Sequence, residues 1–208
     1  MQKELLNQAL GIFDTSEKWN AFVELANQKE TMKWHYFKQL KEPLLNYFNA
    51  NPVEGWVCEP WGNTNYDLRW YLKDFGKSSI SLAIGWTFHF ILHVEDTNAF
   101  DTNKIDDLLR SDYSIILSSF DRVDRQFEHQ LKVVEVRNYS FNSPYDTNFD
   151  DSQLDKLAWF AGNETETFTA QIVKKVERFR QDKGLTKMLY ELNRRTKIEA
   201  PIKPAYNS

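Results

Sequence analysis

The chain predicts an α+β fold: an antiparallel β-meander of about four to six strands, with N-terminal and C-terminal helices packed on one face or end. Two patterns point there. Apolar residues recur every three or four positions through residues 1–50 and again through residues 151–195, the period of an amphipathic helix. Between them, over residues 55–140, alternating β-rich runs follow one another through connections of a few residues. Parallel neighbours need a crossover of about a dozen residues or more, so these strands are predicted to be antiparallel. With residues 196–208 read as a loose tail, the segments form a single α+β domain of 208 residues. A core of that size stands without disulfides or metals.

Each element has its own warrant. Leu5, Leu6, Ala9 and Ile12 share a face of a first helix. Asp14-Thr15-Ser16-Glu17 has the form of a capping box, with Asp14 as the cap, and Trp19, Phe22, Val23 and Ala26 make the inward stripe of a second helix. A third is predicted from Thr31 to Phe48, with Phe37, Leu40, Leu44 and Phe48 inward; Pro43 within it demands a kink or a fresh start. After the breaker cluster Asn49–Gly55, four strands follow at Trp56–Pro60, Tyr66–Lys73, Ser79–Ile84 and Thr87–Glu95. Downstream, Asn103–Leu109 reads as a short helix with Ile105, Leu108 and Leu109 inward. Tyr113–Ser118 reads as a strand, Ser119–Gln130 as helix or loop with the helix stripe Phe120, Val123 and Phe127 favoured, Leu131–Arg137 as a strand and Asn138–Asp150 as loop. Helices capped by Ser152 and ended by Gly162, then from Glu164 to Gln181, precede a last one after an interruption at Gly184.

Composition bounds the function classes. Cys58 is the only cysteine, so no intrachain disulfide forms. No run nears the ~18 apolar residues of a membrane span, and the N-terminus lacks a basic start followed by a pure apolar core. The expectation is a cytoplasmic protein with no membrane partner. Net charge is −4 but uneven. Residues 95–170 hold 7 basic and 16 acidic side chains, and residues 171–208 hold 10 basic and 4 acidic. The simplest account is a basic C-terminal helix lying against the acidic middle of its own chain. The sharper one makes Lys174, Lys175, Arg178 and Arg180 a binding face for an acidic partner or nucleic acid.

The second lead is aromatic. The chain holds 7 Trp, 9 Tyr and 15 Phe, and six Trp and Tyr between Trp56 and Trp86 lie on or beside the meander. If Leu68, Trp70 and Leu72 face the core, Arg69, Tyr71 and Lys73 form a row on the opposite, open face, suited to stacking a base, a sugar or a partner peptide. His89, His93 and Glu95 would enrich that face. The two histidines are about 13 Å apart along an extended strand, too far to share one ion at Zn–N distances of ~2.0–2.2 Å. His93 and Glu95, two residues apart, are a better pair, with Asp67 a candidate third ligand. No glycine-rich phosphate loop, Cys-x-x-Cys pair or helical His-x-x-x-His is present. No cofactor is therefore predicted, the alternative being a divalent metal.

The succession helix, meander, helix, strand resembles the restriction-endonuclease-like core. That resemblance implies an acid on the second strand and Glu-x-Lys on the third, holding a metal that activates water. Asp67 stands at the right place for the first. The third strand reads Ser79-Ile80-Ser81, with neither acid nor lysine, and Glu135-Val136-Arg137 comes too late to substitute. The resemblance thus implies at most a degenerate core. The sequence reading is a non-catalytic binding protein that contacts a protein partner, with nucleic acid second through the basic C-terminal helix. A metal-dependent hydrolase or nuclease centred on Asp67, His93 and Glu95 is the rival.

Overall fold

Three helices open the chain: α1 (Gln2–Ile12), α2 (Ser16–Lys38) and α3 (Lys41–Ala50). The computed structural model describes residues 2–61, 67–85, 89–119, 123–127, 133–136, 141–143, 146–149 and 153–198. The cap of α2 is Thr15, whose side chain accepts from the Lys18 amide at 3.3 Å, while the predicted cap Asp14 instead pairs with Lys18 Nζ at 2.6 Å. No break falls at Thr31; α2 runs on to Lys38. It stops there because the ring of Pro43 would collide with the Gln39 carbonyl in a continuous helix. The chain closes with three-residue hydrogen bonds, Gln39 N–H to Tyr36 O and Leu40 N–H to Phe37 O, and restarts with Pro43 in the first turn of α3.

The four predicted strands appear as β1 (Trp56–Pro60), β2 (Leu68–Leu72), β3 (Ile80–Gly85) and β4 (His89–Val94). Gly55 and Gly76, both at positive φ, make the turns into β1 and after β2. Residues 62–66, the predicted first turn, and residues 86–88 lie outside the described residues. Beyond β4 come α4 (Thr102–Arg110), α5 (Ser114–Ser118), β5 (Val123–Phe127) and β6 (Val133–Val136). The strand order is β1-β2-β3-β4-β6-β5, antiparallel at every step.

Three predictions between residues 113 and 150 fail. Tyr113–Ser118 is helical, not extended: its Ile-Ile-Leu run buries only Ile116, and the Ser118 and Ser119 hydroxyls bond back to the Ile115 carbonyl. Val123–Phe127 is a strand, because Val123, Arg125 and Phe127 also satisfy a two-residue period and β6 supplies the ladder. Within the predicted loop, β7 (Phe141–Ser143) and β8 (Asp146–Phe149) pair as a two-stranded sheet.

The chain ends in α6 (Leu154–Asn163), α7 (Thr165–Arg180) and α8 (Lys183–Thr196). Ser152, the predicted cap of α6, lies outside the described residues. The break before α8 falls at Gln181–Asp182, not at Gly184; Asp182 caps it by accepting from the Gly184 and Leu185 amides. Thr196, predicted to open a loose tail, is buried, and Lys197 pairs with Phe100. Residues 199–208 lie outside the described residues.

One sheet face carries the core. Leu68, Trp70, Leu72, Ile80, Leu82, Phe90 and Leu92 are buried, and α3, α7 and α8 cover them with Phe48, Phe179 and Leu192. Phe48 meets Trp70 edge-on at 5.0 Å and Phe90 meets Phe179 at 5.4 Å. Each such side chain stabilises the fold by roughly 1.5–3 kcal/mol. Asn193, fully buried on α8, accepts from the Ile80 amide at 3.0 Å and donates to the Ile80 carbonyl at 3.3 Å. Ile80 lies beyond the last paired residues of β2 and β3, so this side chain stands in for the missing strand. No described helix is long and apolar enough to cross a membrane.

Candidate functional site

Strand alternation places Glu59, Arg69, Tyr71, Ser81, Ala83, Ile91 and His93 on the second face. Glu59 pairs with Arg69, Arg69 with Ala83, and Ser81 with His93. Because β3 offers only small side chains here, Arg69 extends across it. Its Nε donates to Glu59 Oε1 at 2.8 Å and Nη2 bonds the same oxygen. Nη1 donates to the Lys77 carbonyl at 3.1 Å and lies 3.4 Å from Glu95 Oε2. Tyr71 donates to Glu59 Oε2 at 3.2 Å, and the guanidinium stands 5.8 Å from its ring.

Glu95 Oε2 is a convergence point. It accepts from Trp61 Nε1 at 3.1 Å and lies 3.1 Å from His93 Nε2. An ionised carboxylate only accepts, so the His93 proton belongs on Nε2. Nδ1 is then a buried lone pair with no hydrogen-bond partner among the described residues. The Trp61 ring stands 4.7 Å from His93 and packs on the buried pair Ala83 and Ile91. Burial holds the His93 pKa below 6.5, outweighing the Glu95 hydrogen bond that would raise it. For Glu95, burial alone would raise the pKa, but hydrogen bonds from Trp61 and His93 bring it below the usual value. Burial, followed by the Glu59 charge, raises that of Tyr71.

The predicted open face is therefore closed at its centre. Arg69 is 7 % exposed, His93 1 % and Asp67 3 %. The polar row expected to meet solvent is tied into ion pairs, and Ala83 and Ile91 form a small apolar patch beneath Trp61. Tyr71, half-buried, Glu59 and Glu95 are what remains at the rim. Lys73 lies past the end of β2, exposed in the turn, with its amide on the Gly55 carbonyl. His89 sits in β4 opposite Gly85, and its side chain lies outside the described part. Of the proposed metal ligands, His93 and Glu95 do meet, but they bond to each other, and Glu95 also pairs with Arg69. A cation would have to displace that guanidinium. Among the described residues, no three His, Cys, Asp or Glu side chains are grouped to hold one ion.

The basic helix divides as well. On α7, Lys174 and Arg178 are exposed one turn apart and Lys175 is half-buried. Arg180 is 4 % exposed and faces inward. It pairs with Glu177 at 2.9 Å, donates to the Asn51 carbonyl after α3 at 3.1 Å, and lies 4.8 Å from the Phe48 ring. It is an anchor between α3 and α7, not a surface cation. Arg195 of α8 reaches Asp112 at 2.7 Å, so part of the C-terminal positive charge does lie on the acidic middle of the chain.

Sequence reasoning missed the apolar surface of the N-terminal helices. Trp19, Phe22 and Val23, read as an inward stripe, are 48 %, 39 % and 38 % exposed. Leu6, Leu10, Ile12, Leu25, Met32 and Trp34 are exposed too. From Ser16 to Met32 every residue of α2 is exposed, and in α1 only Ala9 among the described side chains is even half-buried. Further along, α2 packs on α6, leaving a cleft of about 480 Å³ between them, walled by Phe22, Leu25, Met32, Tyr36, Ala158 and Trp159 and crossed by an ion pair of Lys29 with Asp155 at 2.5 Å. The available signal was Lys29 and Lys33, which interrupt the same stripe where a core helix would continue apolar.

The fold and this site define an α+β protein with a polar clasp sealed on one sheet face and an apolar helical arm on its outside. No family model, curated protein or solved structure matches the chain.

Proposed function

We propose that the protein is a non-catalytic interaction protein of the cytoplasm that holds a protein partner, and that the arm formed by α1 and the first half of α2 makes the contact. One observation carries the reading: of thirteen large apolar side chains clearly exposed among the described residues, nine lie between Leu6 and Trp34. Scattered surface leucines need no explanation, but a contiguous apolar run on two helices marks a binding surface. The sheet-face route predicted from sequence has less support, because Arg69 and His93 are spent on internal bonds. Lys174 and Arg178, both exposed on α7, offer a second route, to an acidic patch on a partner or to nucleic acid. The hydrolase reading has the least support, since Glu95 already accepts from Arg69, Trp61 and His93.

The test compares three forms purified from native cells: the wild type, Leu10→Lys/Leu25→Lys in the arm, and Lys174→Glu/Arg178→Glu on α7. The proposal expects a stoichiometric protein companion that the arm variant loses and the α7 variant keeps. Retention by the arm variant would overturn the arm as the contact surface. Binding to DNA or RNA that weakens steeply with salt and vanishes in the α7 variant would replace the reading with nucleic-acid recognition.

A further inference from the structure

Away from the arm, the groove between α3 and α7 carries two buried polar atoms that the fold does not use. We propose that this groove binds an uncharged, largely apolar ring compound bearing a hydroxyl or N–H group, with that group donating to Glu177 Oε2.

Helix periodicity builds the groove. Thr169, Val173 and Glu177 fall at four-residue spacing on α7 and form its floor, each more than nine-tenths buried. Pro43 and Tyr47 of α3 stand on one side, and the exposed Ala170 and Lys174 of α7 on the other. The space between them is about 450 Å³. Sites for small organic molecules run from roughly 300 to 1,000 Å³ and set a few polar groups in apolar walls.

The floor has that composition. Glu177 gives one carboxylate oxygen, Oε1, to Arg180 Nη1 at 2.9 Å. The other, Oε2, is buried with no hydrogen-bond partner among the described residues. Holding Arg180 between α3 and α7 needs only the first oxygen, and a buried acceptor left unmet is destabilising. Thr169 Oγ1 is likewise buried without a partner among the described residues. Other helical threonines show the ordinary alternative. Thr165 and Thr196 each donate to the carbonyl four residues back, at Ala161 and Leu192, both at 2.7 Å. Thr169 makes no such bond. Its hydroxyl and the Glu177 carboxylate belong to residues about 12 Å apart along the helix axis, with only Val173 between them on the floor.

These atoms select the chemistry of the ligand. A carboxylate paired with a guanidinium only accepts, so the group at Oε2 must be a donor. Glu166, Lys174 and Glu177 line the groove and Arg180 pairs with Glu177, so the four charges cancel. A charged ligand would bring an unpaired charge to a nearly buried floor, whereas an alcohol or an N–H brings none. The rings of Pro43 and Tyr47 facing the small side chain of Ala170 suit a flat apolar body.

The experiment is calorimetric titration of the full chain with indole and with 1-methylindole, which share a ring system although only the first has an N–H. Saturable one-to-one binding of indole is expected, with 1-methylindole at least about tenfold weaker despite its extra methyl group. Ala170→Trp fills the groove from an exposed position, so it should abolish indole binding while leaving the urea midpoint unchanged. Glu177→Gln should remove the preference for the N–H compound. The arm variant Leu10→Lys/Leu25→Lys should bind indole as the wild type does. No binding of indole overturns the proposal, as does equal affinity for the two probes or binding that survives Ala170→Trp. Loss of binding in the arm variant would put the probe on the arm and overturn it equally.

Discussion

His93 occupies a place where an imidazole is stable only when neutral. Its folded pKa lies below 6.5 because burial penalises the cation more than Glu95 favours it. The unfolded chain therefore takes up a proton at higher pH than the folded one. Stability from this group is complete above pH 6.5 and is lost as pH falls from there to the lower folded value, at most about 1.4 kcal/mol per pH unit. Urea melts across that window should show stability rising with pH, and His93→Asn should flatten the slope. An unchanged slope in the variant would mean that other groups carry it. Arg69 sets the opposite problem. It holds Glu59 and Glu95 together from a nearly buried position, and Arg69→Met leaves both carboxylates without their cation. Removing one partner of a buried pair costs about 3–5 kcal/mol. Both glutamates keep some exposure, which lowers the expectation to about 2–3 kcal/mol by denaturant melt. A double-mutant cycle with Glu59→Gln should recover part of that loss.

At the scale of elements, the contact between α2 and α6 depends on one missing side chain. A Cβ built on Gly162 would stand 2.1 Å from Tyr36 Cδ1 and 2.6 Å from Cγ, far inside van der Waals contact. Gly162→Ala gains up to about 1 kcal/mol of helix propensity, yet the clash should reverse the sign, with a net loss of about 1–3 kcal/mol in thermal unfolding. Tyr36→Ala in the same background should relieve it. How much of the elements could be read from sequence follows the same physics. The meander was legible because Leu68, Trp70 and Leu72 or Ile80, Leu82 and Ile84 alternate between glycine-marked turns. The stripes of α4 and α7 were legible because three- and four-residue spacing runs long enough to exclude a strand. Ser114–Ser118 and Val123–Phe127 were not, since five residues satisfy either period and tertiary pairing decides. The clasp was half legible. Alternation put Arg69, His93 and Glu95 on one face, but a polar row reads the same in sequence whether it meets water or itself. The tie from Asn193 to Ile80 depends on where β2 stops pairing, which no local pattern encodes.

At the scale of the whole molecule, folding and association separate along the chain. Continuous burial begins at Phe37 and Leu40 and runs through the sheet to Leu192, whereas nothing from Ser16 to Met32 is buried. A large apolar side chain that costs nothing to remove from the monomer is of use only in a complex. Lysines at Leu6, Leu10 and Leu25 should therefore leave the urea midpoint of the monomer within about 0.5 kcal/mol of the wild type. Phe37→Ala, where α2 enters the core, should cost about 3–5 kcal/mol. If the arm lysines instead destabilise the dilute monomer as Phe37→Ala does, these helices belong to the core of each chain, and the division between a folding body and a binding arm fails.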